Sequence, residues 1–208
     1  MRLIKRVKIL APFWLVSLCY FIIPFIRDPI LPPEYFVNMD AAIPFVWWMI
    51  IPYYLYYISI ILPLLVMDVH RLKFLNNVAV ILLLVAYSIF IIWPISCESI
   101  LMTRTPNPLS FMHGMVTFPW LYQNAFPSVH VIIGTFVSDV IAWEYPDKKW
   151  LLWVGAGLIF FATFLIKQHS CCLKRISDIT KLFKGQNILR FFRLWEKVYQ
   201  FAIVLKEY

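Results

Sequence analysis

Five long apolar stretches, separated by shorter polar segments, dominate the hydrophobic pattern of the chain. They cover roughly residues 9–26, 42–67, 76–97, 127–145 and 150–166. A helix needs about 17–25 mostly apolar residues to cross the hydrocarbon core of a bilayer, so each stretch is long enough for one span. No internal repeat or low-complexity linker divides the chain. The pattern predicts an all-α, polytopic membrane bundle with five spans.

Composition supports this prediction. Of the 208 residues, 62% are hydrophobic and 14% are charged, which lies outside the range of soluble globular proteins. The first stretch follows a basic start with Arg2, Lys5, Arg6 and Lys8, as a signal peptide does, but it is long and has no small-x-small cleavage site. We therefore expect an integral membrane protein that retains its first helix.

Basic residues in the loops predict the orientation of the bundle. Arg71 and Lys73 follow the second stretch, and Lys148 and Lys149 follow the fourth. Because cytoplasmic loops carry an excess of Lys and Arg, we expect these loops and the N-terminus on the cytoplasmic side. The other two loops, 27–41 and 98–126, then lie on the outer or lumenal face.

Candidate chemistry lies where the loop 98–126 meets the fourth apolar stretch, at Phe126-Pro127-Ser128-Val129-His130. Proline is tolerated at the first helical position, so we expect a helix to begin at Pro127. Free N–H groups at such an end can bind an anion, and a histidine can transfer a proton at neutral pH. The alternative, that the motif only caps a helix, stays open.

Basic side chains on the same predicted face favour phosphate as the anion. Lys167-Gln168-His169 ends the fifth stretch, and Arg104 lies in the loop before the fourth. A guanidinium offers a planar fork of donors that fits phosphate oxygens. A lone surface arginine is the alternative interpretation of Arg104.

Asn124-Ala125-Phe126-Pro127-Ser128-Val129-His130 followed by Lys167-Gln168-His169 resembles the type 2 phosphatidic acid phosphatase superfamily. Within it, the chain is similar to the branch of the inositol phosphorylceramide synthases. The resemblance covers roughly 90–169, and the span layout extends it to the N-terminus. It implies a metal-independent helical bundle of six spans, without a cofactor, that acts on lipid phosphates at the outer or lumenal surface. The implied partners are a phospholipid or sphingolipid phosphate and the membrane, not nucleic acid.

The resemblance also implies roles for individual residues. His169 matches the nucleophile that forms a phosphohistidine, and His130 matches the acid that protonates the leaving oxygen. Ser128 matches the hydroxyl that binds a phosphoryl oxygen, while Arg104 and Lys167 are the candidate basic residues for substrate binding. Such a two-step transfer lets water or a lipid alcohol be the final acceptor.

Two departures from the family leave a second function open. The acidic residue expected four positions after the nucleophile is Leu173 here, and Asp178 is the nearest acid after His169. The basic residue expected six positions before the nucleophile is Thr163. A nucleophile without its orienting carboxylate can lose several orders of magnitude in rate. The chain is thus predicted to be either a lipid phosphatase or phosphotransferase, or a catalytically impaired or non-enzymatic membrane scaffold of the same fold.

The chain is predicted to have two parts, a phosphatase-like transmembrane domain at 1–173 and a tail at 174–208. The tail carries eight Lys and Arg against three Asp and Glu, a net +5 of the formal +8. Its spacing predicts an amphipathic helix whose basic face suits an anionic membrane surface. Five spans place this tail on the outer face, against the positive-inside tendency, and a re-entrant sixth segment or an altered end would each remove the conflict.

Overall fold

The computed structural model describes residues 3–30, 42–95, 106–118 and 127–166. These residues are helical, apart from turns, short connections and one isolated parallel bridge between Ile30 and Ile95. Four of their helical segments are long and apolar enough to cross a membrane. They are Leu3–Phe25, Trp47–Val66, Val69–Ile92 and Pro146–Leu165. The prediction of an all-α integral membrane protein is therefore confirmed for this part of the chain, and the predicted tail 174–208 lies outside it.

The described residues form eight α-helices. In chain order these are α1 (Leu3–Leu18), α2 (Ile50–Tyr53), α3 (Leu55–Ile61), α4 (Pro63–Val66), α5 (Val69–Ile92), α6 (Ser110–Val116), α7 (Val129–Glu144) and α8 (Lys149–Leu165). The second span is divided into α2, α3 and α4, and α4 begins at Pro63. Proline lacks the N–H that a continuous helix needs, so the break before α4 follows from the sequence.

Two helices differ in extent from the predicted stretches. α5 begins earlier than predicted because Asp68 caps it, with Oδ1 accepting from the backbone N–H groups of His70 (2.7 Å) and Arg71 (3.1 Å). α7, which corresponds to the fourth predicted span, has only 16 residues. At 1.5 Å per residue it rises about 24 Å, less than the roughly 30 Å of a hydrocarbon core.

The short helix α7 lies at the centre of the bundle, packed against α3, α4, α5 and α8. Gly134 lies at its contact with α8. A Cβ added to Gly134 would meet Ile159 Cδ1 at 3.3 Å and Tyr56 Cδ2 at 3.9 Å. The absent side chain therefore lets α7 approach its neighbours closely, as small residues do in membrane helix pairs.

One end of the bundle joins the start of α1 to the α4–α5 and α7–α8 connections. The Arg6 guanidinium donates to the backbone carbonyls of Pro63 and Leu64 in α4 and to that of Met67, which follows this helix. Tyr145 Oη donates to the carbonyl of Val66 at 2.7 Å, and the Asp68 N–H donates to Glu144 at 3.1 Å. Seven of the eight Lys and Arg residues that the structure describes belong to this end, which we call the basic end.

The opposite end contains α6, the start of the second span and the end of α8. The backbone N–H of Val46 donates to the carbonyl of Leu165 at 2.9 Å, and His113 Nε2 lies 3.0 Å from the Trp47 carbonyl. One core cluster fills the space between these elements, formed by Met49, Ile50, Tyr53, Val116, Ala162 and Ile166. α7 begins beside this cluster.

Candidate functional site

Ser128 caps the N-terminus of α7. Its backbone is extended (φ −73°, ψ 112°), and its Oγ accepts from the Val131 N–H at 3.4 Å. Pro127 therefore precedes the cap, where the sequence predicted it at the first helical position, because the serine side chain takes the capping role. Ser128 is 8% exposed. A hydroxyl that accepts one hydrogen bond still has its own proton to donate.

His130 follows within the first turn of α7 and is held by tyrosines of the second span. Its Nε2 lies 2.7 Å from Tyr53 Oη, and the tautomer of the ring decides which atom donates. The ring centroid of Tyr56 lies 4.4 Å from that of the imidazole, and the centroid of Tyr53 lies 4.9 Å away. Tyr53 is 1% exposed, so the imidazole is fixed by a rigid, interior partner.

His130 also lines a cavity of about 280 Å³ between α1, the second span, α5 and the start of α7. Most of the lining side chains are aromatic: Trp14, Tyr20, Phe21, Tyr53, Tyr56, Tyr57, Tyr87 and Phe118. None of the lining residues in the described part of the chain is Asp, Glu, Lys or Arg. The cavity thus offers ring faces, tyrosine hydroxyls and one imidazole. We call it the aromatic cavity.

Ser128 and His130 do not lie as far from the basic end as the end of α5 does. α5 begins and α7 ends at the basic end, where Asp68 contacts Glu144. With 24 residues in α5 and 16 in α7, the N-terminus of α7 stops about 12 Å short of the level that α5 reaches. Ser128 and His130 therefore lie below the end of α5, near the level at which the 17-residue α8 ends. Full charges are costly between membrane spans, which fits a lining of tyrosine and histidine.

The predicted site residues are only partly covered by the described segments. Ser128 and His130 lie at the start of the same helix, as predicted, whereas Arg104, Lys167 and His169 lie outside the described residues, as do Leu173 and Asp178. α8 ends at Leu165, and Ile166 belongs to the same core cluster as Tyr53. Ile166, the last described residue before Lys167, is therefore in the cluster that contains Tyr53, the partner of His130.

Two tyrosines of this site were not predicted. The aromatic run at 53–57 has no role in the site predicted from sequence, but Tyr53 and Tyr56 are buried and contact His130. Positions 53, 56, 57 and 60 recur at helical spacing and line the cavity together. Hydroxyl-bearing rings on one face of an apolar helix are the signal that points to such an interior polar partner.

Three further polar residues are buried in the helix packing outside this site. Thr163, at the position where the resemblance led us to expect a basic residue, is fully buried and donates from Oγ1 to the Ile159 carbonyl at 2.7 Å. His113 is buried beside the Trp47 carbonyl, and Asp139 is buried within α7. Across the described segments, no group of three or more His, Cys, Asp or Glu is arranged to hold a metal ion.

The site as described can donate hydrogen bonds to an anion and can hold an imidazole in a fixed position beside it. These are requirements of acid–base chemistry on a phosphate ester. Neither a family model, nor a curated protein, nor a solved structure matches the chain.

Proposed function

We propose that the protein is a membrane lipid phosphatase or phosphotransferase that works through a phosphohistidine at the outer or lumenal face. The observation that carries the proposal is His130, an imidazole that Tyr53 fixes on the wall of a cavity, in the first turn of a helix capped by Ser128. A phosphate group beside this turn meets donors and a proton-transfer group at once. No other described histidine combines these features.

The chemistry follows from the roles of these groups. The Ser128 hydroxyl and the N-terminus of α7 bind phosphoryl oxygens, and His130 protonates the leaving oxygen. His169 attacks phosphorus, and water or a lipid alcohol then takes the phosphoryl group. Arg104 and Lys167 supply positive charge to the phosphate.

A second function is a catalytically impaired or non-enzymatic membrane scaffold of the same fold. The packing of His130 favours it, because Tyr53 engages Nε2 and the ring of Tyr56 lies against the imidazole. Leu173, where the family has a carboxylate, favours it as well. A histidine satisfied in this way stabilises the junction of α7 with the second span whether or not a phosphate binds.

Release of phosphate from phosphatidic acid by the purified full chain in detergent decides between the two. We expect His130→Ala to lower the rate by about 10²-fold or more. His70→Ala is the matched control, because His70 is exposed at the basic end, and its rate should stay within about twofold of the parent. A folded parent that releases no phosphate above the background would favour the scaffold.

The covalent intermediate gives a separate test of His169. Substrate labelled in its phosphate should transfer an acid-labile, base-stable label to the protein, as a phosphohistidine does. The label should be absent in His169→Ala and should still form in His130→Ala when the substrate has a good leaving group. A label that persists in His169→Ala would contradict the assignment of the nucleophile.

A further inference from the structure

We propose that the aromatic cavity binds a quaternary ammonium group, of the kind that choline headgroups carry. The cavity lies between three spans and is lined mostly by aromatic rings, with no Asp, Glu, Lys or Arg among the described lining residues. A cation over the face of Trp, Tyr or Phe is attracted by the ring quadrupole, and this attraction grows when the pair is shielded from water. The aromatic cavity supplies such rings, and those of Tyr53 and Tyr56 are buried.

The mutual orientation of the rings supports a cage. Tyr20 and Phe21 are inclined at 86° with centroids 5.6 Å apart, and Phe21 and Phe118 at 81° and 5.3 Å. Among the lining residues of the second span, Tyr53 and Tyr57 are inclined at 72° with centroids 6.3 Å apart. Rings inclined near a right angle present their faces in different directions. A compact cation beside them can therefore meet more than one ring face.

The chemistry of the lining selects a quaternary ammonium over other ligands. A primary ammonium has three N–H donors that need acceptors, and the described lining offers neutral hydroxyls and an imidazole but no carboxylate to balance its charge. A quaternary ammonium has no N–H and is satisfied by ring faces alone. The cavity, at about 280 Å³, lies just below the range of about 300 to 1,000 Å³ that is typical of pockets for drug-sized ligands, so it suits a small group such as a headgroup. A whole lipid is too large for it.

The inference rests on the aromatic cavity and does not require the reaction proposed above. If that reaction occurs, a phosphate ester attached to the bound ammonium lies on the side of His130, which is part of the same lining. Binding can be measured on protein that turns nothing over. A negative result in the activity test and a negative result in the binding test can therefore be told apart.

The first experiment compares choline with 3,3-dimethyl-1-butanol, its neutral isostere, in which carbon replaces the ammonium nitrogen. Equilibrium binding to the full chain is measured in a maltoside detergent, which carries no choline group. We expect the isostere to bind at least about tenfold more weakly, because it has the shape of choline without the charge. Equal affinity would overturn the proposal, and this comparison needs no variant.

Variants then locate the bound cation. Tyr57→Leu and Trp14→Leu each remove a ring from the lining and should weaken choline binding by about tenfold. Tyr57→Phe keeps the ring and should change affinity by less than about threefold. Trp48→Leu is the control, because Trp48 is in the same span but is 52% exposed and is not part of the lining. Unchanged binding in both Leu variants of the lining would contradict the proposed location.

A displacement experiment then identifies the source of the ammonium group. Lysophosphatidylcholine and lysophosphatidylglycerol are added separately to protein that has bound labelled choline. Displacement by the choline lysolipid alone supports a lipid headgroup as the ligand. Displacement by neither lysolipid supports a water-soluble quaternary ammonium. Equal displacement by both would show that the cavity takes an apolar tail, and it would overturn the proposal.

Discussion

At the scale of single residues, the contact between His130 and Tyr53 separates a polar effect from a packing effect. The hydroxyl of Tyr53 lies 2.7 Å from Nε2 of His130. The ring of Tyr56 packs against the same imidazole in a T-shaped arrangement. Replacing a buried tyrosine by phenylalanine removes the hydroxyl and keeps the ring. The two tyrosines are therefore a matched pair for measuring the hydrogen bond.

We expect Tyr53→Phe to lower the free energy of unfolding by about 1–3 kcal/mol, because the imidazole loses its buried partner. Tyr56→Phe should lower it by less, since its ring contact with His130 is retained. Unfolding in mixed micelles, followed by the helical circular dichroism signal, measures both. Equal losses in the two variants would mean that the hydroxyl–imidazole bond contributes little.

At the scale of helices, the approach of α7 to α8 depends on Gly134. A Cβ there would lie 3.3 Å from Ile159 Cδ1, whereas a Cβ on Gly157 of α8 would meet no heavy atom within 4 Å. Alanine favours a helix over glycine by up to about 1 kcal/mol. The two glycines should therefore respond differently to the same substitution.

We expect Gly157→Ala to leave the free energy of unfolding unchanged or to raise it by up to about 1 kcal/mol. The free energy of unfolding of Gly134→Ala should be lower than that of Gly157→Ala, because Ile159 must move to admit the methyl group. Gly134→Ala combined with Ile159→Val, which removes Cδ1, should recover part of this difference, so the pair should be non-additive. Strict additivity would contradict a close contact at this crossing.

The cap of α5 gives a second test at the same scale. Asp68 Oδ1 accepts from two backbone N–H groups at the start of this helix. Asp68→Ala should cost about 1 kcal/mol of unfolding free energy. Asp68→Asn keeps a capping oxygen and should cost less. Equal costs for Ala and Asn would mean that the charge, through its ion pair with Arg71, contributes more than the cap.

At the scale of the whole molecule, the basic end and the end with α6 should lie on opposite sides of a membrane. Lys148 is exposed at the basic end and Ser110 is exposed at the start of α6. In a background without the natural cysteines, Ser110→Cys should react in intact cells with a thiol reagent that does not cross membranes. Lys148→Cys should react only after the membrane is opened, because the positive-inside tendency places it in the cytoplasm. This result applies if the protein is at the cell surface, and the reverse pattern would place His130 in the other compartment.

The parts of this architecture that follow from local pattern were predictable, and those that depend on long-range contact were not. Apolar length identified four of the five predicted spans, and a five-residue motif indicated that Ser128 and His130 lie at the start of one helix. The partner of His130 is 77 positions away, and no local pattern links the two. The start of α5 was missed because charged residues near Asp68 hide a helix that a side-chain cap stabilises.

The shortness of α7 has a consequence for the lipids around the protein. Its N-terminus lies about 12 Å short of the end of α5, so in a bilayer thick enough to match α5 the headgroups lie farther from His130 than the end of α5 does. Thinner bilayers bring the headgroups nearer, and the cost of hydrophobic mismatch is only a fraction of a kcal/mol per Å. We therefore expect any lipid that uses this site to reach it more readily in membranes of short acyl chains. The acyl-chain length of the host bilayer, varied in nanodiscs of one headgroup, should tune activity or choline-lipid binding without any change in the protein.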